Sequence, residues 1–235
     1  MVLCCLQGLQ RNQLYNCCIT GAPGRGKTEL ARKIGRLYAA LEIVKTPELI
    51  ECRRDTLLGK DLGQAAPKVR KLLDEARASG RPIFLDEVTS MACPGRGSQD
   101  SYAKAALDCI NHYLYNHKDC CMIVAGYGRD APQNVYNCFF DCNPGLVRRF
   151  PFIFHIPPYT PAETSKIFHQ QIRNAGWTTE NDTVANASWF KQHNDCFPNG
   201  GGDTEILMDR CFMMHARRVF GMSQRLRKKL AAADL

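Results

Sequence analysis

Gly21-Ala22-Pro23-Gly24-Arg25-Gly26-Lys27-Thr28 sets a lysine and a hydroxyl directly behind three glycines, at the spacing G-x-x-x-x-G-K-[ST]. Glycines without Cβ let successive backbone N–H groups turn inward around phosphate oxygens. A lysine at this position reaches the β- and γ-phosphates, and the hydroxyl can be offered to Mg²⁺. Gly21, Pro23, Gly24, Gly26, Lys27 and Thr28 are therefore candidate ligands of a nucleoside triphosphate, with Thr28 also a candidate metal ligand. A second candidate lies downstream, where Ile83-Phe84-Leu85 runs into Asp86-Glu87. Alone, an acidic pair is an ordinary way to end an exposed strand. Behind a phosphate loop it is the other half of a hydrolytic site: Asp86 for the Mg²⁺ shell, Glu87 to orient and deprotonate an attacking water.

Such a site needs a strand entering the loop and a helix leaving it, because the free N–H groups and dipole of a helix N-terminus favour an anion. Residues 14–20 read as a buried strand, and Leu30, Ile34, Leu37 and Leu41 recur at helical spacing. The alternation continues with an apolar run at 49–52, then a helix marked by Val69, Leu72, Leu73 and Ala76 that ends near Gly80. A strand at 82–86 follows, then a helix with Ala103, Ala106, Leu107, Ile110 and Leu114 on its apolar face, and strands at 120–125 and 152–156. This order predicts an α/β fold with a parallel sheet sandwiched by helices. Pro157-Pro158-Tyr159-Thr160-Pro161 breaks the rhythm. Thr160 is placed to cap a helix, with Pro161 at its first position and Glu163 in its first turn. Beyond it the chain reads as helical, interrupted mainly at Gly200-Gly201-Gly202, with Leu207, Cys211 and Met214 as a packing stripe. The expected domains are an α/β nucleotide-binding domain over 1–157 and a small all-helical domain over 158–235.

The 235 residues are 45% hydrophobic and 23% charged, ordinary for a soluble protein, so disorder is not indicated. The net charge of +8 is scattered; only Arg225-Leu226-Arg227-Lys228-Lys229 forms a cluster, read as a solvated helix end rather than a nucleic-acid or membrane contact. No stretch approaches the roughly 20 apolar residues of a membrane span, so no membrane partner is expected. Met1-Val2-Leu3-Cys4-Cys5-Leu6 is short and lacks a basic start, and Val2 stands where myristoylation needs glycine. An intracellular, cytoplasmic location is expected. The thirteen cysteines are odd in number and form no C-x-x-C pair, which suits a reducing compartment. Cys17, Cys18, Cys120 and Cys121 fall in expected strands as small hydrophobes. Cys138/Cys142 and His193/Cys196 have ligand-like separations, but no second pair stands at structural zinc spacing.

Five segments in order carry a family resemblance: the Gly21–Thr28 loop, Gly59 through Ala66-Pro67-Lys68, Phe84-Leu85-Asp86-Glu87, Val124-Ala125-Gly126-Tyr127, and Asn143-Pro144-Gly145-Leu146-Val147-Arg148-Arg149-Phe150. Together they resemble the AAA+ ATPases of the CbbX/SpoVK-like group over about residues 14–175, with a looser echo to residue 222. The resemblance implies a P-loop NTPase sheet in the order 5-1-4-3-2, a helical lid, and ATP and Mg²⁺ as ligands. It also implies assembly with copies of itself, commonly into a hexameric ring with ATP at the subunit interface. Lys27 and Thr28 match the Walker A residues, and Asp86 and Glu87 match Walker B. Tyr127 stands at the sensor-1 position. Arg149 matches the arginine finger given to a neighbouring subunit, with Arg148 where serine is frequent.

Three departures mark the chain. Relatives carry an aromatic residue in the pore loop, where this chain has Lys60-Asp61-Leu62-Gly63. No sensor-2 arginine stands at Gly202-Asp203-Thr204-Glu205-Ile206, with Arg210 and Arg217 the nearest substitutes. Only some twenty residues precede the loop, so a trimmed or incomplete N-terminal segment is expected. The resulting expectation is a ring-forming ATPase that remodels a macromolecular partner, a protein rather than a nucleic acid. The alternatives are a nucleotide-gated assembly or regulatory subunit that hydrolyses little, and a nucleic-acid-dependent motor.

Overall fold

In this computed structural model the described residues are 14–57, 65–91, 101–181, 183–220 and 228–235. They divide into two compact units. The first comprises the described residues up to Ala22 together with Lys27–Ile156; the second comprises Pro23–Gly26 and Pro157–Leu235.

The first unit is built on five parallel strands: β1 (Cys17–Thr20), β2 (Ile50–Cys52), β3 (Ile83–Leu85), β4 (Met122–Gly126) and β5 (Phe152–His155), in the order β2-β3-β4-β1-β5. Read from the other edge this is 5-1-4-3-2, as the resemblance implies. Residues 17–20 pair with 123–126 on one side and 152–155 on the other. Strand residues alternate between two apolar layers because successive side chains point to opposite faces. Cys18, Ile83, Leu85, Met122 and Val124 face α3 (Ala65–Ser79) and α4 (Ser101–Asn116), whereas Cys17, Ile19, Phe84, Ile123 and Ala125 face α1 (Lys27–Ala40). A short α2 (Arg54–Leu57) follows β2. In the three inner strands β1, β3 and β4 every residue is buried, and the cysteines Cys17 and Cys18 behave there as small hydrophobes, whereas the edge strands expose Glu51 and Phe154. Burial pushes the thiols of Cys17 and Cys18 up to about 12, so neither is a nucleophile at neutral pH.

Three local expectations are corrected. The first strand is shorter than residues 14–20, and Cys120 and Cys121, though buried, precede the first residue of β4. The sheet-facing stripe of α1 is Ala31, Ile34, Gly35 and Tyr38, while Leu37 is 54% exposed. The reason is close approach: a Cβ on Gly35 would lie 2.8 Å from the Pro47 carbonyl oxygen, so a glycine sets which face turns inward.

The second unit holds α5 (Pro161–Asn174), α6 (Ala187–Gln192) and α7 (Gly201–Arg218), around Phe168, Ile172, Phe190, Cys211 and Leu230. Thr160 caps α5 through a reciprocal box: Glu163 N–H donates to Thr160 Oγ1, and Thr160 N–H donates to Glu163 Oε2. Two features differ from the all-helical expectation. A two-residue parallel pair, β6 (Thr178–Thr179) with β7 (Lys229–Leu230), ties the helices. Gly201 and Gly202 open α7 instead of interrupting a helix, and the buried stripe is Thr204, Cys211 and His215, with Met214 46% exposed.

Near the end of this unit Asp234 is 2% exposed, and its carboxylate accepts from Arg218 Nε at 2.7 Å and Nη2 at 2.9 Å, and from the Ala231 N–H at 2.9 Å. His215 Nδ1 lies 3.2 Å away. Burial alone would raise the carboxyl pKa, but the Arg218, Ala231 and His215 donors outweigh it and hold the group below its ordinary value. A depressed folded pKa contributes stability that is present above the unfolded pKa of about 3.9 and lost as pH falls through the folded value. Asp234→Ala is expected to cost about 3 kcal/mol, the low end for breaking a buried pair because Arg218 keeps access to water. Urea midpoints at pH 7 and pH 3 check this. The gap between wild type and variant should narrow at the lower pH.

Candidate functional site

β1 ends at Thr20, and the Gly21 N–H donates to the Gly126 carbonyl at the end of β4, 3.2 Å away. The loop therefore leaves the carboxyl edge of the sheet between β1 and the central strand β4, an edge where open parallel sheets bind ligands. Lys27 is the first residue of α1. Its Nζ donates to the Gly21 and Ala22 carbonyls, both at 3.0 Å, and lies 5.4 Å from the centre of the Tyr127 ring. Burial lowers the Lys27 pKa, while the negative charges of Asp86 and Glu87 oppose that shift. Thr28 Oγ1 donates to Asp86 Oδ2 at 3.3 Å.

Asp86 is held from both sides. Its N–H donates to the Cys52 carbonyl, continuing the β2–β3 ladder, and its Oδ1 accepts from the Glu87 N–H at 2.9 Å. Glu87 is exposed and left-handed, with φ 54° and ψ 42°. A non-glycine residue there costs on the order of 1–2 kcal/mol. The conformation is retained because the Glu87 carbonyl accepts from both the N–H and Oγ of Ser90, each at 2.8 Å. The backbone strain sits at the one carboxylate expected to meet water.

The remaining loop residues group with the second unit. Gly24 has φ +66°, and a Cβ on it would lie 2.0 Å from the Asn199 carbonyl oxygen, so no other residue fits. The Gly24 carbonyl accepts from the Gly201 N–H at 3.0 Å, and Gly26 also has a positive φ. Arg25, unassigned in the sequence reading, is 8% exposed, donates to the Pro198 carbonyl at 3.0 Å, and its own carbonyl accepts from the Tyr159 hydroxyl at 2.7 Å. Pro23 shares this group.

Arg149 ends the 3₁₀ turn Val147–Arg149. Its carbonyl accepts from Asn16 Nδ2 at 2.9 Å, and its guanidinium lies 4.8 Å from the centre of the Tyr115 ring. Its Nε is buried and, among the described residues, has no hydrogen-bond partner. Among the described residues no hydrogen bond or ion pair links its guanidinium to Lys27, Thr28, Asp86 or Glu87. Gly21, Lys27, Thr28, Asp86, Glu87 and Tyr127 lie together in the first unit; Arg149 belongs to the same unit but, among the described residues, is joined to none of them by a hydrogen bond or ion pair. Sequence reasoning missed Asn16, which is wholly buried and also accepts from the Met122 N–H at 2.7 Å. Its signal was a lone amide inside an apolar run.

Gly59, Lys60, Asp61, Leu62 and Gly63, residues 225–227 of the basic cluster, and Cys4 and Cys5 lie outside the described residues. Arg210 and Arg217 are exposed on α7. Among the described residues no group of three His, Cys, Asp or Glu is placed to hold a metal ion. Cys142 Sγ donates to the Cys138 carbonyl, and His193 stacks on Trp189. No helix there is long and apolar enough to cross a membrane. For Mg²⁺ the relevant donors are the touching Thr28 hydroxyl and Asp86 carboxylate. Two oxygen ligands that leave the remaining positions to water and phosphate suit this hard ion.

A parallel 5-1-4-3-2 sheet with a lysine-bearing loop after β1 and an Asp-Glu pair after β3 defines a P-loop nucleotide-binding ATPase. The family model described as "ATPase family associated with various cellular activities (AAA)" matches residues 17–155, and the chain belongs to that family. It is 30% identical over 227 residues to a cfxQ-like protein of Acanthamoeba polyphaga mimivirus, covering 95% of this chain and 54% of that one. It is 33% identical over 168 residues to Stage V sporulation protein K of Bacillus subtilis (71% and 49%) and 30% identical over 207 residues to protein CbbX of Cereibacter sphaeroides (87% and 64%). These relatives support the CbbX/SpoVK-like group and an ATP-hydrolysing domain. The chain spans roughly half to two thirds of their length.

Proposed function

We propose that this chain is the motor of a self-assembling ring, most simply a hexamer, that couples ATP hydrolysis to remodelling a protein partner. The observation that carries this reading is the Arg149 guanidinium. It rests on Tyr115 without a carboxylate partner and, among the described residues, makes no hydrogen bond or ion pair with the Lys27–Asp86 group. A half-buried arginine left without an anion is a group kept for one that arrives from outside, here the triphosphate held by a neighbouring copy.

Within each copy Lys27 gives up its two carbonyl partners for phosphate oxygens. Thr28 and Asp86 would hold Mg²⁺, which would supply charge neutralisation at the phosphates. Glu87 orients a water and takes its proton as the water oxygen bonds to the γ-phosphorus and the bond to the ADP oxygen breaks. Arg149 of the adjoining copy neutralises the charge spread over the transferring group. Tyr127, beside Lys27, limits where the γ-phosphate can sit.

Steady-state ATPase rate per mole of chain, measured against protein concentration, tests the shared site. Specific activity is expected to rise with concentration and reach a plateau. Activity independent of concentration down to monomer-only conditions would sink the shared site. Tight ATP binding without turnover at every concentration would favour a nucleotide-gated subunit.

A further inference from the structure

The segment that ends in Arg149 is tied to a single stripe of α4. Asp108, Asn111 and Tyr115 stand at i, i+3 and i+7, one face of a helix. Asp108 Oδ1 accepts from Asn143 Nδ2 at 2.7 Å, and Asn143 Oδ1 accepts from Asn111 Nδ2 at 3.1 Å and from the Gly145 N–H at 2.9 Å. A Cβ on Gly145 would lie 2.5 Å from the Asn111 amide nitrogen, so the turn sits directly on the stripe. One turn further along, Tyr115 meets the Arg149 guanidinium. Leu146 and Phe150 are buried on either side of the 3₁₀ turn, and Asn16 fixes the Arg149 carbonyl. The Arg149 backbone is thus located by Asn143, Asn16 and two apolar anchors, while its side chain has Tyr115 as its aromatic support.

Tyr115 is 62% exposed. An aromatic ring so exposed contributes little to the core, and among the described residues its hydroxyl makes no hydrogen bond that would explain it. What it offers is a flat, electron-rich face for a cation. An arginine has several rotatable bonds, and an unsupported one at a subunit surface samples many directions. Holding it near one direction before the partner arrives removes that ordering cost from the reaction.

We propose that Tyr115 is a positioning residue that pre-orients Arg149 for the neighbouring active site, with Asp108 and Asn111 setting the turn beneath it. This rests on the trans reading of Arg149 given above. Tyr115 acts through Arg149 and touches no substrate.

The experiment is a double-mutant cycle in steady-state ATP hydrolysis, at protein concentrations on the activity plateau. The variants are Tyr115→Leu, Tyr115→Phe, Arg149→Ala and the Tyr115→Leu/Arg149→Ala pair. Tyr115→Leu is expected to lower kcat by about three- to tenfold with the KM for ATP unchanged, the range that loss of a partly desolvated cation–aromatic contact gives. Tyr115→Phe, which keeps the ring and loses only the hydroxyl, is expected to restore kcat. The double variant should be no slower than Arg149→Ala alone, because a support has no effect once its arginine is gone. Wild-type kcat in Tyr115→Leu with a slow Arg149→Ala would overturn the role of Tyr115 and leave the finger standing. A double variant slower than Arg149→Ala by the full Tyr115→Leu factor would also overturn it. Wild-type kcat in Arg149→Ala would remove the finger reading itself, and the proposal with it. Melting temperatures separate these results from misfolding, and an exposed Tyr115 should tolerate both changes.

Discussion

Glu87→Gln is expected to bind ATP as the wild type does and to turn it over about 10²–10⁴-fold more slowly, the usual contribution of a positioned general base. The amide keeps the size of the carboxylate and can adopt the same left-handed backbone, because the constraint on residue 87 comes from its main-chain bonds to Ser90 and Asp86. What is lost is an oxygen able to take a proton. The proposed phosphate ligand Lys27 and the proposed Mg²⁺ ligands Thr28 and Asp86 remain, so affinity should hold. Filter binding of labelled ATP together with single-turnover hydrolysis separates the two effects. Normal turnover in the variant would remove Glu87 from the base role and leave water activation to be sought elsewhere. Weak binding would mean that Glu87 supports the loop, which its exposed position opposes.

Arg149→Ala is expected to leave ATP affinity within a few-fold of wild type and to slow hydrolysis by about 10³-fold or more, as arginine fingers do. Affinity should hold because, among the described residues, the Arg149 guanidinium makes no hydrogen bond or ion pair with the Lys27–Asp86 group of its own chain. Combining the two variants makes the test specific. A Glu87→Gln copy has a dead site and an intact arginine; an Arg149→Ala copy has an intact site and no arginine to lend. Mixing them should recover activity that neither has alone, because some Arg149→Ala sites then receive Arg149 from a Glu87→Gln neighbour. A mixture as inactive as its parts would contradict donation between subunits. Wild-type hydrolysis by Arg149→Ala alone would contradict any role in the reaction.

The sequence was most readable where covalent chemistry and local geometry coincide. A glycine loop between an apolar strand and a periodic helix constrains its neighbours so strongly that β1, α1 and the place of Lys27 and Thr28 follow from a few residues. Thr160, Pro161 and Glu163 are similar, since a capping box lies within four positions. What was not readable depended on contacts distant in sequence. The turned face of α1 was set by Pro47 against Gly35, so a leucine-counting stripe chose Leu37 wrongly. The start of α7 at Gly201 escaped notice because glycine ordinarily argues against a helix, yet Gly200-Gly201-Gly202 lies where backbone approaches backbone. The family motif singles out Arg149 as a candidate, but not its resting place on Tyr115, 34 positions earlier. Asp234 gave no sign of its burial, since pairing with Arg218 and His215 emerges only once β7 brings the chain back.

The buried thiols give the chain an internal clock. Of the ten cysteines among the described residues, seven are buried, and they lie in both units: Cys17, Cys18, Cys52, Cys120, Cys121 and Cys138 in the first, Cys211 in the second. Raised pKa and lost access together silence Cys17 and Cys18 toward alkylating reagents while the sheet is closed. Their modification rate therefore measures how often β1 is exposed, whereas that of Cys211 measures opening of the helical unit. A pulse of reagent during ATP turnover would record, site by site, which part of the molecule breathes as it works, with no probe introduced and no residue changed.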